Sequence, residues 1–282
     1  MLVCLPDSEI ERFLEEDLPY GDLTTHLLGI GGQPGEIRFS ARHDTVLCCT
    51  EEAGRLLEKC GCRVTQLIPS GSRVENATTF LRAEGGAQAL HAGWKVALNL
   101  LEYGSGIATR TSGIVTAARQ INPHIAVLTT RKSFPGTKKV AIKAICSGGA
   151  LPHRLGLSES ILVFKQHTAF CGGLEPFLEQ IATLKRQAVE TKLIVEADSP
   201  EEAKRIALTG VDVIQMDKLP VEQLKQLVSE IRGINPAVKI SAAGGINEQN
   251  AAAYAATGVD ILVLSSVYFG KPADIQAVIT PL

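Results

Sequence analysis

The sequence of 282 residues contains no run of about 20 uncharged apolar residues, so it predicts no membrane-spanning helix. Residues 1–17 are acidic after a short apolar start and lack a signal-peptide pattern. The net charge of −2 gives no excess of positive charge for a nucleic-acid-binding surface. We therefore expect a cytoplasmic protein that binds small molecules and neither membranes nor nucleic acids.

The signatures of several enzyme and metal-binding classes are also absent. The sequence has no H-E-x-x-H, G-x-S-x-G or Walker motif, and no G-x-G-x-x-G motif that would favour a dinucleotide-binding fold. Its seven cysteines form neither a zinc ribbon nor a redox C-x-x-C. Buried or partly exposed thiols of a reducing compartment are one interpretation of these cysteines, and a soft-metal site at Cys60 and Cys62 is the alternative.

The composition is that of a folded protein with a sizeable core, because 45% of the residues are hydrophobic and 21% are charged. The second half alternates short apolar runs with helical patterns, which predicts a parallel sheet with right-handed crossovers. Six such strands close more readily into a barrel than into a dinucleotide-binding sheet. The predicted strands cover 125–128, 161–164, 193–195, 211–214, 239–241 and 261–264. After the third of them, Ser199 as N-cap, Pro200 at the first helical position and Glu202 in a capping box predict the start of a helix.

The N-terminal part has a different pattern, with short β-like runs between turns and one helix over 50–60, which predicts a separate α/β sandwich lobe. A second helix over 91–102 is expected to link this lobe to the barrel. The predicted domains are the lobe with its linking helix (1–106), an α/β barrel (107–270) and a tail that returns toward the lobe (271–282). The β-like runs cover 36–41, 46–49, 63–67 and 79–84.

Charged residues follow several predicted strands, and in parallel α/β barrels the chemistry lies at the carboxyl ends of the strands. Arg131 and Lys132 follow one strand, and His153 and Arg154 come after a glycine-rich approach. With Lys143 they predict one anion-binding cradle, since arginine presents a fork to phosphate or carboxylate. The alternatives are a solvated basic turn and a structural role for His153.

Two carboxylates, Glu196 and Asp217, also end strands, so strands in register would bring both to one rim. Such a pair could hold Mg²⁺ or ribose hydroxyls, or stabilise positive charge on a sugar carbon. Capping of the following helices is the alternative. The turn Ala243-Gly244-Gly245 permits backbone N–H groups to approach a phosphate, although the same residues also serve plain turns.

Two segments carry a family resemblance. Residues 129–136 (TTRKSFPG) and 148–157 (GGALPHRLGL), with Glu196 and Asp217 at their spacing, resemble the quinolinate phosphoribosyltransferase family. The resemblance implies an N-terminal α/β sandwich lobe packed on an open parallel α/β barrel. It also implies a homodimer in which the neighbouring subunit completes each site. The implied reaction joins a pyridine nitrogen to phosphoribosyl pyrophosphate with Mg²⁺, pyrophosphate loss and decarboxylation.

The resemblance also implies roles for individual residues. Glu196, Asp217 and Lys132 would be catalytic, and the two carboxylates would hold the Mg²⁺. Substrate would be bound by Arg131, His153 and Arg154, with the 5′-phosphate at the Gly244 turn and at Ser265 and Ser266. From the charge pattern and the resemblance together, the full set of predicted substrate-binding residues is Lys95, Arg131, Lys143, His153, Arg154, Phe164, Ala243, Gly244, Gly245, Ser265 and Ser266.

Several positions depart from the family pattern. Lys95 replaces an arginine that reaches the neighbouring subunit's site, and Phe164 replaces a lysine, with Lys165 one position later. Asp217-Lys218 replaces Asp-Asn, Ala243 a serine and Ser265 a glycine. This pattern resembles a paralogous branch of the family that is encoded with molybdate-transport genes.

Together these features predict transfer of ribose 5-phosphate from phosphoribosyl pyrophosphate to a small aromatic nitrogen heterocycle. One alternative is a quinolinate phosphoribosyltransferase that forms nicotinate mononucleotide in NAD biosynthesis. The other is a non-catalytic ligand-binding protein in molybdate or cofactor handling.

Overall fold

The computed structural model describes residues 4–282, so the first three residues of the acidic N-terminal segment lie outside it. Contacts divide the chain into two units, and each is built from separated segments. The first unit contains the described residues up to Ser112 together with Phe134–Gly149 and Val267–Leu282. The second unit contains Gly113–Ser133 and Ala150–Ser266.

The helices are α1 Asp7–Asp17, α2 Leu23–Leu28, α3 Thr50–Lys59, α4 Ala87–Ile121, α5 Lys138–Ser147, α6 Lys165–Thr168, α7 Leu174–Gln187, α8 Pro200–Ala207, α9 Val221–Ile234 and α10 Ala251–Ala255. The strands are β1 Pro34–Ala41, β2 Thr45–Val46, β3 Arg63–Leu67, β4 Arg73–Val74, β5 Thr79–Gly86, β6 Ala126–Thr129, β7 Leu151–Pro152, β8 Ile161–Val163, β9 Leu193–Ala197, β10 Val213–Asp217, β11 Lys239–Ala243, β12 Ile261–Leu264 and β13 Ile275–Pro281. None of the helices within residues 4–282 combines the length and apolar character needed to cross a bilayer.

The first unit contains an antiparallel sheet in the order β13-β1-β5-β3 and a two-stranded β2-β4 ribbon. Strand β1 alternates buried residues with partly buried ones, as expected where one face of a sheet covers a core. The last strand of the chain pairs with β1 along its length, from Gly35–Pro281 to Ala41–Ile275. The predicted helix over 50–60 is confirmed as α3, and the predicted sandwich lobe is confirmed.

The prediction of a linking helix over 91–102 was far too short. The observed helix, α4, runs from Ala87 to Ile121. Gly104 and Gly106 lie inside this helix, although glycine weakens helix interiors. The structure shows a packing reason for both. A Cβ at Gly104 would lie 3.0 Å from Cys49 Sγ, and one at Gly106 would lie 2.9 Å from the Ala273 nitrogen. Glycine in this helix permits close packing inside the first unit.

The second unit contains a parallel sheet in the order β7-β6-β12-β11-β10-β9-β8. Its strands β8 to β12 are neighbours in chain order, and β6 and β7 continue the sheet beyond β12. The predicted open parallel α/β barrel is confirmed. The two-residue strand β7 was not predicted, because Leu151–Pro152 is too short to give a periodic signal.

Helix α8 shows how the sequence specifies these crossovers. The Ser199 hydroxyl accepts a hydrogen bond from the Glu202 N–H, and Pro200 occupies the first turn, as predicted. The Glu202 carboxylate accepts from the Asp198 N–H, one residue earlier than in the standard capping box. Gly210 then adopts a φ of 82°, which ends the crossover before β10.

Candidate active site

A cavity of about 680 Å³ lies at the carboxyl end of the parallel sheet, within the second unit. Strand register explains how it forms. Glu196 on β9 pairs with Gln215 on β10, and Asp217 pairs with Ala243 on β11. The cavity is lined by Thr130, Arg131, Lys132, His153, Arg154, Leu162, Phe164, Glu196, Gln215, Asp217, Lys218, Ala243, Gly244, Gly245, Ile246, Asn247, Val263, Ser265 and Ser266.

One wall of this cavity is cationic. Arg131 and Lys132 follow β6, and the His153 N–H donates to the Thr129 carbonyl at 2.9 Å, which fixes the adjoining segment beside β6. Burial lowers the pKa of Arg154, and the neighbouring charge of Arg131 lowers it further. No ion pair with a carboxylate is present at Arg131, Lys132 or Arg154 within residues 4–282. These like charges would be compensated by a bound anion.

His153 differs from its cationic neighbours. Burial lowers its pKa, and the charge of Arg154 adds to that effect. The imidazole is therefore neutral at neutral pH, with one ring nitrogen able to donate a hydrogen bond and the other able to accept one. It contributes hydrogen bonding to the wall, while the permanent charges come from Arg131, Lys132 and Arg154.

Glu196 is the carboxylate most changed by this environment. Burial raises its pKa, and the nearby charges of Asp217 and Asp198 also raise it. A hydrogen bond of 2.7 Å from Gln215 Nε2 to Glu196 Oε2 and the charge of Lys132 act in the opposite direction. Two carboxylates on neighbouring strands therefore repel each other in the free protein, and a cation or a developing positive charge would relieve that repulsion.

We expect Glu196→Gln to stabilise the ligand-free protein at pH 7.5. Because the folded-state pKa lies above the usual 4.5, ionisation of Glu196 is unfavourable in the fold. The stability that protonated Glu196 contributes to the wild-type protein is complete below pH 4.5. It is lost as the pH rises through the folded-state pKa. Thermal unfolding of both proteins at pH 4 and 7.5 measures this. A variant whose advantage over the wild type shrinks with rising pH would contradict the prediction.

The Gly244 turn lies directly against Asp217. Gly244 and Gly245 have φ values of 85° and 73°, and a Cβ at Gly244 would overlap Asp217 Oδ1 and lie 2.5 Å from Lys218 Cγ. Lys218 itself has a φ of 56°, while its N–H donates to the Ala243 carbonyl at 2.7 Å. Asparagine, which the family has at this position, tolerates the left-handed conformation better than lysine does. Lysine at position 218 therefore brings a cation to the cavity together with some backbone strain.

The two serines at the end of β12 complete this side of the cavity. Ser265 Oγ lies 2.8 Å from Thr130 Oγ1, and the Ser266 hydroxyl donates to the Ile246 carbonyl at 2.8 Å. These bonds connect the ends of β6, β11 and β12. The result is a rim of small polar groups that a phosphate can approach closely.

The wall at the other edge of the sheet is aromatic. Phe164 follows β8, and its N–H donates to His167 Nδ1 at 3.0 Å while the two rings stack with centroids 5.8 Å apart. Lys165 does not line the cavity, because its ammonium pairs with Asp198 at 2.8 Å and is largely exposed. The cation that the family carries at position 164 is therefore not replaced by Lys165.

Two predicted substrate-binding residues are placed outside the cavity. Lys95 is exposed on α4 in the first unit. Lys143 lies on α5 in the same unit, where its Nζ is 2.8 Å from Glu51 Oε2 and 2.6 Å from Glu52 Oε2. With its charge already matched by two carboxylates, Lys143 does not join the anion cradle.

Four polar lining residues were not predicted from the sequence: Thr130, Gln215, Lys218 and Asn247. A signal existed for Gln215, because it lies two residues before Asp217 on one strand and so shares its face. The other three lie in turns, where side-chain direction has no simple period.

Comparison with known proteins decides the family. Residues 22–105 match "Quinolinate phosphoribosyl transferase, N-terminal domain", and residues 107–276 match the C-terminal domain of the same family. This chain belongs to the quinolinate phosphoribosyltransferase family. The predicted activity class, a phosphoribosyltransferase and so a pentosyltransferase, is confirmed with it.

Individual relatives indicate which branch of the family this chain is most similar to among the proteins compared. It is 41% identical over 253 residues to "Putative pyrophosphorylase ModD" of Rhodobacter capsulatus, a match that covers 89% of this chain and 96% of the relative. A protein of the same name from Pasteurella multocida is 37% identical, with 99% of both chains covered. The structure of NadC from Streptococcus pyogenes superimposes with a TM-score of 0.87 and 25% identity over 98% of this chain and 96% of that one. The predicted resemblance to the paralogous branch is confirmed.

Proposed function

We propose that this family member transfers ribose 5-phosphate from phosphoribosyl pyrophosphate to the ring nitrogen of an aromatic heterocycle, with release of pyrophosphate. One observation carries the proposal. A single cavity contains the permanent cations Arg131, Lys132 and Arg154 near one end of the sheet order. The carboxylates Glu196 and Asp217 lie near the other end, where the Lys218 ammonium is 3.9 Å from Asp217 Oδ2. This charge arrangement suits a substrate that separates an anionic leaving group from a sugar carbon that becomes positive.

Each group of cavity residues interacts with a different part of the substrate. The bond from the sugar carbon to pyrophosphate breaks with its electron pair on oxygen, and the cationic wall stabilises the growing negative charge. Glu196 and Asp217 stabilise positive charge on the sugar carbon while the lone pair of the ring nitrogen forms the new bond. Ser265, Ser266 and the Gly244 turn hold the 5′-phosphate at the small polar rim.

The carboxylates fit Mg²⁺ as an accompanying ion. Glu196 and Asp217 supply the hard oxygen ligands that Mg²⁺ prefers. No group of three His, Cys, Asp or Glu side chains in residues 4–282 could hold a metal, so water and substrate phosphates would supply the other ligands. When bound, Mg²⁺ would neutralise phosphate charge.

The proposal includes a homodimer in which a neighbouring subunit completes each site. Lys95 is the residue that the family resemblance assigns to that role, and its exposure on α4 leaves the ammonium accessible. Lysine in place of arginine retains the charge without the two-pronged geometry. The link to molybdate-transport genes and a cytoplasmic location belong to the same proposal.

Binding of phosphoribosyl pyrophosphate is the direct test of the function. We expect phosphoribosyl pyrophosphate to stabilise the folded protein by about 2.7 kcal/mol when it is present with Mg²⁺ at 100 times its dissociation constant. Thermal unfolding measures this gain. Arg154→Ala should remove most of this gain, because it removes a half-buried charge from the cationic wall. Arg186→Ala is the matched control, since Arg186 is exposed on α7 and bonds Thr183.

Pyrophosphate release separates the candidate reactions. Wild-type protein supplied with phosphoribosyl pyrophosphate and aromatic acids should release pyrophosphate, and quinolinate should be a poor acceptor because Phe164 replaces a cation. Robust turnover of quinolinate would support a quinolinate phosphoribosyltransferase instead. The absence of both binding and turnover of phosphoribosyl pyrophosphate would refute the proposed function.

A further inference from the structure

Gln215 is a buried polar residue that lines the cavity. Only the nitrogen of its side-chain amide makes a hydrogen bond within residues 4–282. The residue is only 5% exposed, and its Nε2 donates to Glu196 Oε2 at 2.7 Å. Its Oε1 is buried and has no hydrogen-bond partner in the part of the chain that the structure describes. A buried amide oxygen without a partner is unfavourable, so this atom signals an interaction that forms only when the site is filled.

The surroundings of Gln215 define what could approach it. Gln215 pairs in register with Glu196 on one side and with the buried Ser241 on the other. The Ser241 hydroxyl is not the missing partner, because it donates to the Ile214 carbonyl instead. Side chains alternate along a strand, so Gln215 lies on the cavity face one step deeper than Asp217. This is the floor of the site, beneath the carboxylate that borders the rim.

Apart from Glu196, the rest of this floor is apolar or aromatic. Leu162 is 7% exposed, Val263 is 3% exposed, and the Phe164 ring lies at the β8 edge. The permanent cations that line the cavity follow β6 and β7 or, at Lys218, β10. An acceptor ring seated on this floor would contact apolar side chains, the Gln215 amide and Glu196, with no cation at the Phe164 edge to neutralise a second carboxylate.

We propose that Gln215 and Phe164 determine the acceptor, and that they select a planar nitrogen heterocycle that carries a hydrogen-bond donor, an exocyclic amine or a second ring N–H, in place of a second carboxylate. This inference rests on the proposed phosphoribosyl transfer. The terminal torsion of glutamine is broad, so the amide can turn its oxygen toward such a donor. A site with a buried acceptor discriminates against ligands that lack the donor, because the acceptor is then left unpaired.

Matched probes test the inference. Nicotinate, its four ring-amino derivatives and quinolinate are titrated into the protein with saturating magnesium pyrophosphate, and their dissociation constants are measured by calorimetry. We expect at least one aminonicotinate to bind about tenfold or more tightly than both nicotinate and quinolinate. Gln215→Leu should abolish this preference while nicotinate binding changes by less than about threefold.

Two further variants keep the result interpretable. Ser241→Ala is the matched control, because it removes a buried polar group from the neighbouring strand at the paired position and should leave the preference unchanged. Gln215→Met removes the amide while keeping an unbranched side chain of similar length and should also abolish the preference, which covers the case in which Gln215→Leu fails to fold. A preference that survives in Gln215→Leu, or is absent from the wild type, overturns the inference.

The failure of the inference and the failure of the proposed function are distinguishable. Stabilisation by magnesium phosphoribosyl pyrophosphate without any preference for aminonicotinates overturns only the assignment of the acceptor. The absence of that stabilisation overturns both. Tight binding of quinolinate by the wild type would contradict the assigned role of Phe164 in particular.

Discussion

Replacement of either cavity carboxylate should lower the rate of phosphoribosyl transfer at least about 100-fold, the usual cost of removing one electrostatic contact to a transition state. Glu196→Gln and Asp217→Asn keep the side-chain shape while removing the charge that would stabilise a positive sugar carbon. The rate is measured as pyrophosphate release with the acceptor that the wild-type protein uses fastest.

Asp198→Asn provides the control for this experiment. Asp198 follows β9 two residues after Glu196, but its carboxylate bonds the exposed ammonium of Lys165 outside the cavity. Its loss should change the rate by less than about threefold, since an exposed pair contributes little. If Glu196→Gln and Asp217→Asn both turned over at the wild-type rate, the non-catalytic ligand-binding alternative would gain support.

Lys143→Met should lower the free energy of unfolding by about 3–5 kcal/mol, the range found when one partner of a buried ion pair is removed. Lys143 is 7% exposed and Glu52 is fully buried. Burial alone would raise the pKa of Glu51, but hydrogen bonds from Lys143 and Ser70 lower it to about 2. Without Lys143, two neighbouring carboxylates would lose their counterion, and chemical denaturation would report the loss.

A second substitution distinguishes charge from packing at Lys143. Glu52→Gln added to Lys143→Met removes the fully buried uncompensated charge, so part of the lost stability should return. Lys165→Met is the exposed counterpart and should leave the free energy of unfolding nearly unchanged, because its ion pair with Asp198 is solvated. Equal losses for Lys143→Met and Lys165→Met would show that the buried carboxylates do not depend on Lys143.

The sequence predicted those parts of the fold and site that follow from local patterns. Ser199 and Pro200 marked the start of α8 because their signals concern only the next few residues. The rule that barrel chemistry lies at strand ends brought Arg131, Glu196 and Asp217 to one cavity. Each of these predictions needed only the chain near the residue and the architecture of parallel sheets.

The misplaced residues depend on contacts with distant parts of the chain. Lys143 was grouped with Arg131 because the two are close in sequence, whereas its partner Glu51 is 92 residues away. The predicted linking helix stopped at 102, whereas α4 continues through Gly104, which packs against Cys48 and Cys49. The unpaired oxygen of Gln215 could not be predicted either, because a missing hydrogen bond is a property of the folded neighbourhood.

The pairing of β13 with β1 has a consequence for how the molecule assembles. Gly35 has Pro281 as its partner, so this contact closes a loop that contains the whole second unit. Until it forms, one side of β1 presents unpaired N–H and C=O groups, which are a template for strands of other molecules. Long-range pairing of this kind forms slowly. The final segment therefore pairs the open backbone groups of β1 and itself forms the edge of the sheet, a role separate from any contribution to substrate binding.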